Sequence, residues 1–153
     1  MAPLIVMLVS WAAARLAGYT GLWPQVDAWD SALRIALAAM FVFTGVSHFH
    51  PRTRPDLVRM VPPSLPKPAL LVTITGVLEL LGAAGLLLPS VAKAAAYGLI
   101  ALLVAMFPAN LYAARAGLVI VGRRATPIIW RAPLQVFWIG ALWCVAQSTP
   151  PAW

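Results

Sequence analysis

The apolar positions of this chain fall in five blocks, residues 4–22, 32–49, 69–88, 91–114 and 128–146, separated by stretches where prolines, tryptophans and charges gather. Each block approaches the roughly 20 helical residues that cross a hydrocarbon core. None alternates apolar with polar positions as the strands of a transmembrane barrel must. The pattern predicts an all-α membrane protein, a compact transmembrane helical bundle forming a single domain over residues 1–153. The breaks are explicit. Trp23 and Pro24 follow the first block, His50 and Pro51 the second, and Pro62, Pro63, Pro66 and Pro68 precede the third. Pro89 and Ser90 leave only a tight turn between the third and fourth, which predicts an antiparallel hairpin of helices. Asp30 and Ser31 are N-cap candidates for the second span. The first block has a competing reading as a cleaved signal peptide, because Ala12, Ala13 and Ala14 mimic a small-residue cleavage site. The lack of a basic residue ahead of the apolar run, and its continuation past Arg15, favour a retained span.

Composition agrees with the pattern. Hydrophobic residues make up 62% of the chain and charged ones 10%, against about 45–50% and about 25% in soluble domains, too few charges to clothe a soluble surface. The net charge of +7 does not point to nucleic acid, since the basic residues flank apolar blocks instead of forming a readable basic patch. They act as topology signals. Arg52, Arg54, Arg59 and Lys67 follow the second span, and Arg115, Arg123, Arg124 and Arg131 lie around the end of the fourth and the start of the fifth. Asp27 and Asp30 mark the connection between the first two spans, and the turn between the third and fourth carries only Lys93. Short cytoplasmic loops hold the excess of lysine and arginine, which predicts the N-terminus inside and the C-terminus outside. Trp23, Trp29, Trp130 and Trp153 stand at predicted span ends, where interfacial tryptophans collect.

The candidate chemistry lies in the few polar residues within the spans, because a charge at the bilayer centre is costly. Glu79 is near the middle of the third span, and Thr75, Gly76, Gly82 and Ala83 share its helix face. Small residues on such a face let another helix approach closely. Arg15 and Arg34 are the candidate partners. The pair would either fix helix register or surround a carboxylate that binds a proton or a ligand; the remaining alternative is a protonated glutamate that the span merely tolerates. In the second span Arg34, Ala38, Phe41, Gly45 and His48 recur at steps of four and three, one continuous stripe. Asn110, just after Pro108, comes to the same end of its span as His48. These two either satisfy carbonyls freed by the proline or bind the polar end of an amphipathic molecule such as a quinone. His48 and His50, two residues apart, do not share a helix face, and no cluster of ligands completes a metal site. Cys144 is the single cysteine, which excludes an internal disulfide or a paired-cysteine redox motif. It reads as a packing residue. No phosphate loop, nucleophile elbow or catalytic carboxylate pair is present in the sequence, so no motif of an enzyme acting alone is legible.

The stretch from Arg34 through Phe41, Gly45, His48 and Phe49 resembles the DoxX-like family of small bacterial integral membrane proteins. So do Met60, Val61 and Pro62, then the run from Thr75 through Glu79 to Leu86, and finally Phe107, Pro108, Ala109 and Asn110. The resemblance covers about residues 32–146 and implies a four-helix core with the first span as an addition. It also implies a place in the bacterial cytoplasmic membrane and a role as an accessory or quinone-contacting subunit of a redox or oxidative and sulfur stress system. The partners would then be the lipid bilayer and a membrane or peripheral redox protein, and small-residue faces leave room for oligomerisation. The alternatives are a free-standing carrier or isomerase-like enzyme for a small lipophilic molecule, or a membrane assembly factor. In each, the interior set is Glu79, Arg34, Arg15, His48 and Asn110.

Overall fold

The computed structural model describes residues 2–148, so the Trp153 interface assignment lies outside the described residues. Five long helices are present: α1 (Ala2–Tyr19), α2 (Trp29–Ser47), α4 (Pro68–Leu87), α5 (Ala92–Arg115) and α6 (Ile128–Gln147). All five are long and apolar enough to cross a membrane, which makes the chain a multi-pass membrane protein with lipid-facing helices. Helix α2 packs on α1 and α4, α5 packs on α4 and α6, and α6 also touches α2. Four helices therefore close on one another, and α1 lies against α2.

Local chemistry sets the helix ends. Pro68 opens α4 at a position whose N–H would have no helical partner. Pro89, just beyond its end, forces a turn before α5 begins at Ala92. Helix α2 starts earlier than its sequence pattern predicts: Ala28 is the N-cap, Asp30 falls in the first turn, and Ser31 is fully buried within the helix. Neither Asp30 nor Ser31 caps. Asp30 still suits the site, because a negative charge in the first turn complements the helix dipole. After α1 the chain doubles back through a short 3-10 turn (Pro24–Val26), and Gly18 is what permits this. A Cβ on Gly18 would stand 2.6 Å from the backbone of Asp27.

The largest fully buried side chains include Phe41, Leu37, Met40, Leu86, Leu99 and Leu142, supplied by α2, α4, α5 and α6. The outer faces are equally apolar. Leu16 is 63% exposed, Leu81 63%, Ile129 71% and Val136 69%, an arrangement suited to lipid and not to water.

The two basic connections contain structure that the hydrophobic pattern does not signal. The first holds a short helix, α3 (Arg54–Met60). The second holds a two-stranded hairpin, β1 (Val119–Ile120) against β2 (Arg123–Arg124), with Val119 opposite Arg124 and Ile120 opposite Arg123. Its turn residues Val121 and Gly122 both have positive φ, as a two-residue I′ turn requires. The connections meet at one end of the molecule. Asp56 of α3 accepts from the Val121 N–H at 2.7 Å and from Arg59 at 2.6 Å, while Arg59 donates to the Val119 carbonyl at 2.8 Å. Arg54 ties the same end together, donating to the carbonyls of His48 and Ala69 and, at 2.8 Å, to the Thr73 hydroxyl.

Candidate functional site

The stripe from Arg34 to His48 is buried along its whole length. Its lower part meets α4 at two glycines. A Cβ on Gly76 would lie 2.6 Å from the His48 Cβ, and one on Gly45 would lie 2.9 Å from the Leu80 side chain and 3.3 Å from the Glu79 Cβ. A larger residue at 76 would meet the fixed His48 Cβ and hold the helices apart. This close approach sets His48 Nδ1 3.8 Å from Glu79 Oε2. The separation is ionic range and too long for a hydrogen bond. His48 Nδ1 instead lies 2.9 Å from the Thr44 carbonyl. A carbonyl only accepts, so Nδ1 carries the proton in that bond.

The other sequence-expected partners of Glu79 are elsewhere. Arg15 pairs with Asp27 at 3.3 Å near the turn after α1, where both side chains are substantially exposed. Arg34 is buried and donates from Nε to the Leu86 carbonyl at 3.0 Å, two turns or about 10 Å further along α4 than Glu79. Arginine and glutamate share the α2–α4 interface, but the carboxylate's neighbour is a histidine.

Asn110 also differs from expectation. Its side-chain oxygen accepts from Arg131 of α6, not from His48. Gln135 donates to the Leu103 carbonyl at 3.0 Å, one residue before the Val104 carbonyl that loses its helical partner at Pro108. Cys144 faces outward from α6 and is not a packing residue. No group of three or more His, Cys, Asp or Glu able to hold a metal occurs among the described residues.

A cavity of about 530 Å³ separates these two polar walls, within the range of about 300–1,000 Å³ usual for small-molecule sites. Glu79, His48, Thr44 and Thr75 line it from α2 and α4, and Asn110, Arg131, Gln135 and Trp138 from α5 and α6. Apolar side chains make up most of the rest, with Met60 of α3 and Ile120 of the hairpin at the basic-loop end. Three polar atoms of lining residues are buried without a hydrogen-bond partner: Glu79 Oε2, Arg131 Nε and the Trp138 indole nitrogen. Buried polar groups are normally satisfied, so three orphans around one cavity mark it as the place where an occupant would supply the missing partners.

Of the candidates legible in the sequence, Glu79, His48 and Asn110 line this cavity and Arg15 and Arg34 do not, while Arg131, Gln135 and Trp138 join the lining unannounced. A signal existed. Residues 131, 135 and 138 recur at steps of four and three, the same periodicity as the α2 stripe, but Arg131 at the edge of a basic loop looks like one more topology charge.

No curated protein and no solved structure matches the chain. The pattern defining one protein family, described as a domain of unknown function (DUF8561), matches residues 37–146, from within α2 almost to the end of α6. This covers most of the chain and all of the cavity's polar walls, and the chain belongs to that family.

Proposed function

We propose that this protein is a DoxX-like membrane protein that holds a small amphipathic molecule between its helices, as an accessory, quinone-contacting subunit of a membrane redox or stress-response system. The observation that carries the binding role is the cavity of about 530 Å³ with its three unpartnered polar atoms. Apolar walls would take the body of the molecule and the polar atoms its head. The redox setting rests on the resemblance of the segments around His48, Glu79 and Asn110. In this reading α2, α4, α5 and α6 form a compact four-helix transmembrane core and α1 is an addition to it. The family match, residues 37–146, runs from within α2 to near the end of α6 and so spans most of that core. The membrane is the bacterial cytoplasmic one, with the N-terminus and the basic loops inside.

A second reading has its own support. Glu79 and His48, 3.8 Å apart on a cavity wall, have the composition of an acid and base pair that could move a proton on a bound lipophilic substrate, as a carrier or an isomerase would need. Native mass spectrometry after gentle extraction tests the proposal. A co-purifying small molecule, lost when Thr75→Trp fills the cavity, is the expected result; a bare chain with neither ligand nor protein partner would refute it.

A further inference from the structure

The two walls of the cavity offer opposite chemistry, and that asymmetry identifies what fits between them. On the α6 side the unpartnered groups are donors only. Arginine has five N–H groups and no acceptor, and an indole nitrogen only donates. Arg131 stays cationic, yet its hydrogen-bond partner is the neutral Asn110 amide. Asp27 pairs with Arg15, Asp56 pairs with Arg59, and Glu79 stands 3.8 Å from His48, so no carboxylate among the described residues reaches Arg131. Its Nε is buried, and it lies one turn into a helix long and apolar enough to span the membrane. An ionisable group so placed calls for a partner. On the opposite wall, midway along α4, the unpartnered atom is a carboxyl oxygen of Glu79.

Resting on the cavity-binding reading above, we infer that the occupant is an amphipathic organic anion: a carboxylate on an apolar body, its head on Arg131 and its body along the apolar walls. An anion satisfies the donor wall and the guanidinium charge together, which a neutral carbonyl compound such as a quinone does only in part. Arg131 stands in the first turn of α6, next to the basic loop, so the carboxylate lies at that end of the cavity and away from the Glu79 wall. The apolar lining that remains, including Met40, Leu103 and Met106, accepts the body.

The test uses the full chain in zwitterionic lipid nanodiscs and equilibrium dialysis of radiolabelled decanoate, with binding to empty nanodiscs subtracted. Methyl decanoate and a short-chain ubiquinone serve as neutral comparisons. Saturable decanoate binding is expected, about tenfold or more tighter than that of the ester, which is the factor that a charge-assisted hydrogen bond confers. Arg131→Gln should erase that preference, and Arg131→Lys should keep most of it because the charge remains. Competition by added phosphatidylglycerol would keep the anion site and make a bilayer lipid its natural occupant. If the ester or the quinone binds as well as decanoate, the anion inference fails while the cavity reading stands. If no probe binds saturably, both fail. If Arg131→Gln and Arg131→Lys weaken acid and ester equally, Arg131 serves the fold and not the head group, and the inference is overturned.

Discussion

Gly76→Ala probes the contact on which the site depends. The new methyl would lie 2.6 Å from the His48 Cβ and 2.9 Å from the Phe49 ring. Carbon pairs settle at about 3.5–4.0 Å, so α2 and α4 must part locally by about 1 Å. The obstacle is a Cβ fixed to the α2 backbone, not the end of a flexible chain, and rotamer changes cannot relieve it. Overpacking of this kind costs about 1–3 kcal/mol. Gly98→Ala is the matched control, since a Cβ there meets nothing within 4 Å. Both are helical glycines, and both substitutions gain helix propensity of about 1 kcal/mol, so the difference between them isolates the contact. Thermal unfolding of the detergent-solubilised protein should place Gly76→Ala below Gly98→Ala by that 1–3 kcal/mol, or roughly a 5- to 150-fold change in the folding equilibrium. Ligand retention should fall with it as His48 is displaced. If the two alanine variants unfold alike, the close α2–α4 approach at Gly76 is wrong, and the Glu79–His48 geometry goes with it.

Other expectations follow from the same contacts. In a double-mutant cycle, Glu79→Gln and His48→Gln should couple by about 0.5–3 kcal/mol, as neighbouring residues do; Glu79→Gln with Arg15→Gln should be additive, and the reverse pattern would restore Arg15 as the partner. Arg54→Ala removes three hydrogen bonds that join α2, α3 and α4 and should lower stability by about 1.5–3 kcal/mol, measured by chemical denaturation; a neutral result would mean that water replaces them. For the orientation proposed, a reporter fused after residue 153 should be active only outside the cytoplasm, and a cytoplasmic signal would invert the topology.

Much of the architecture is legible in the chain itself, for a plain physical reason. A helix in lipid must satisfy its own backbone and present apolar side chains on every outward face, so length and composition alone mark the five long helices. Proline marks several of their ends, because it removes a helical hydrogen bond, although Pro108 and Pro133 lie inside α5 and α6. The stripe from Arg34 to His48 could be recognised as an interior face from periodicity, since positions three and four apart must share a side. Pairing could not be recognised this way. Periodicity says which way a residue points along its own helix but nothing about the rotation and depth of the helix opposite. Glu79 therefore meets His48 through the glycines at 45 and 76, Arg15 turns to Asp27, and Asn110 goes to Arg131. Helix α3 and the hairpin are short and held by contacts between the two connections, such as Asp56 with Val121 and Arg59 with Val119, which leave no periodic trace. The cavity is the clearest case: it exists only because walls from four helices stand apart by a certain distance. That distance is a property of packed volumes in three dimensions, and the tertiary structure alone decides it.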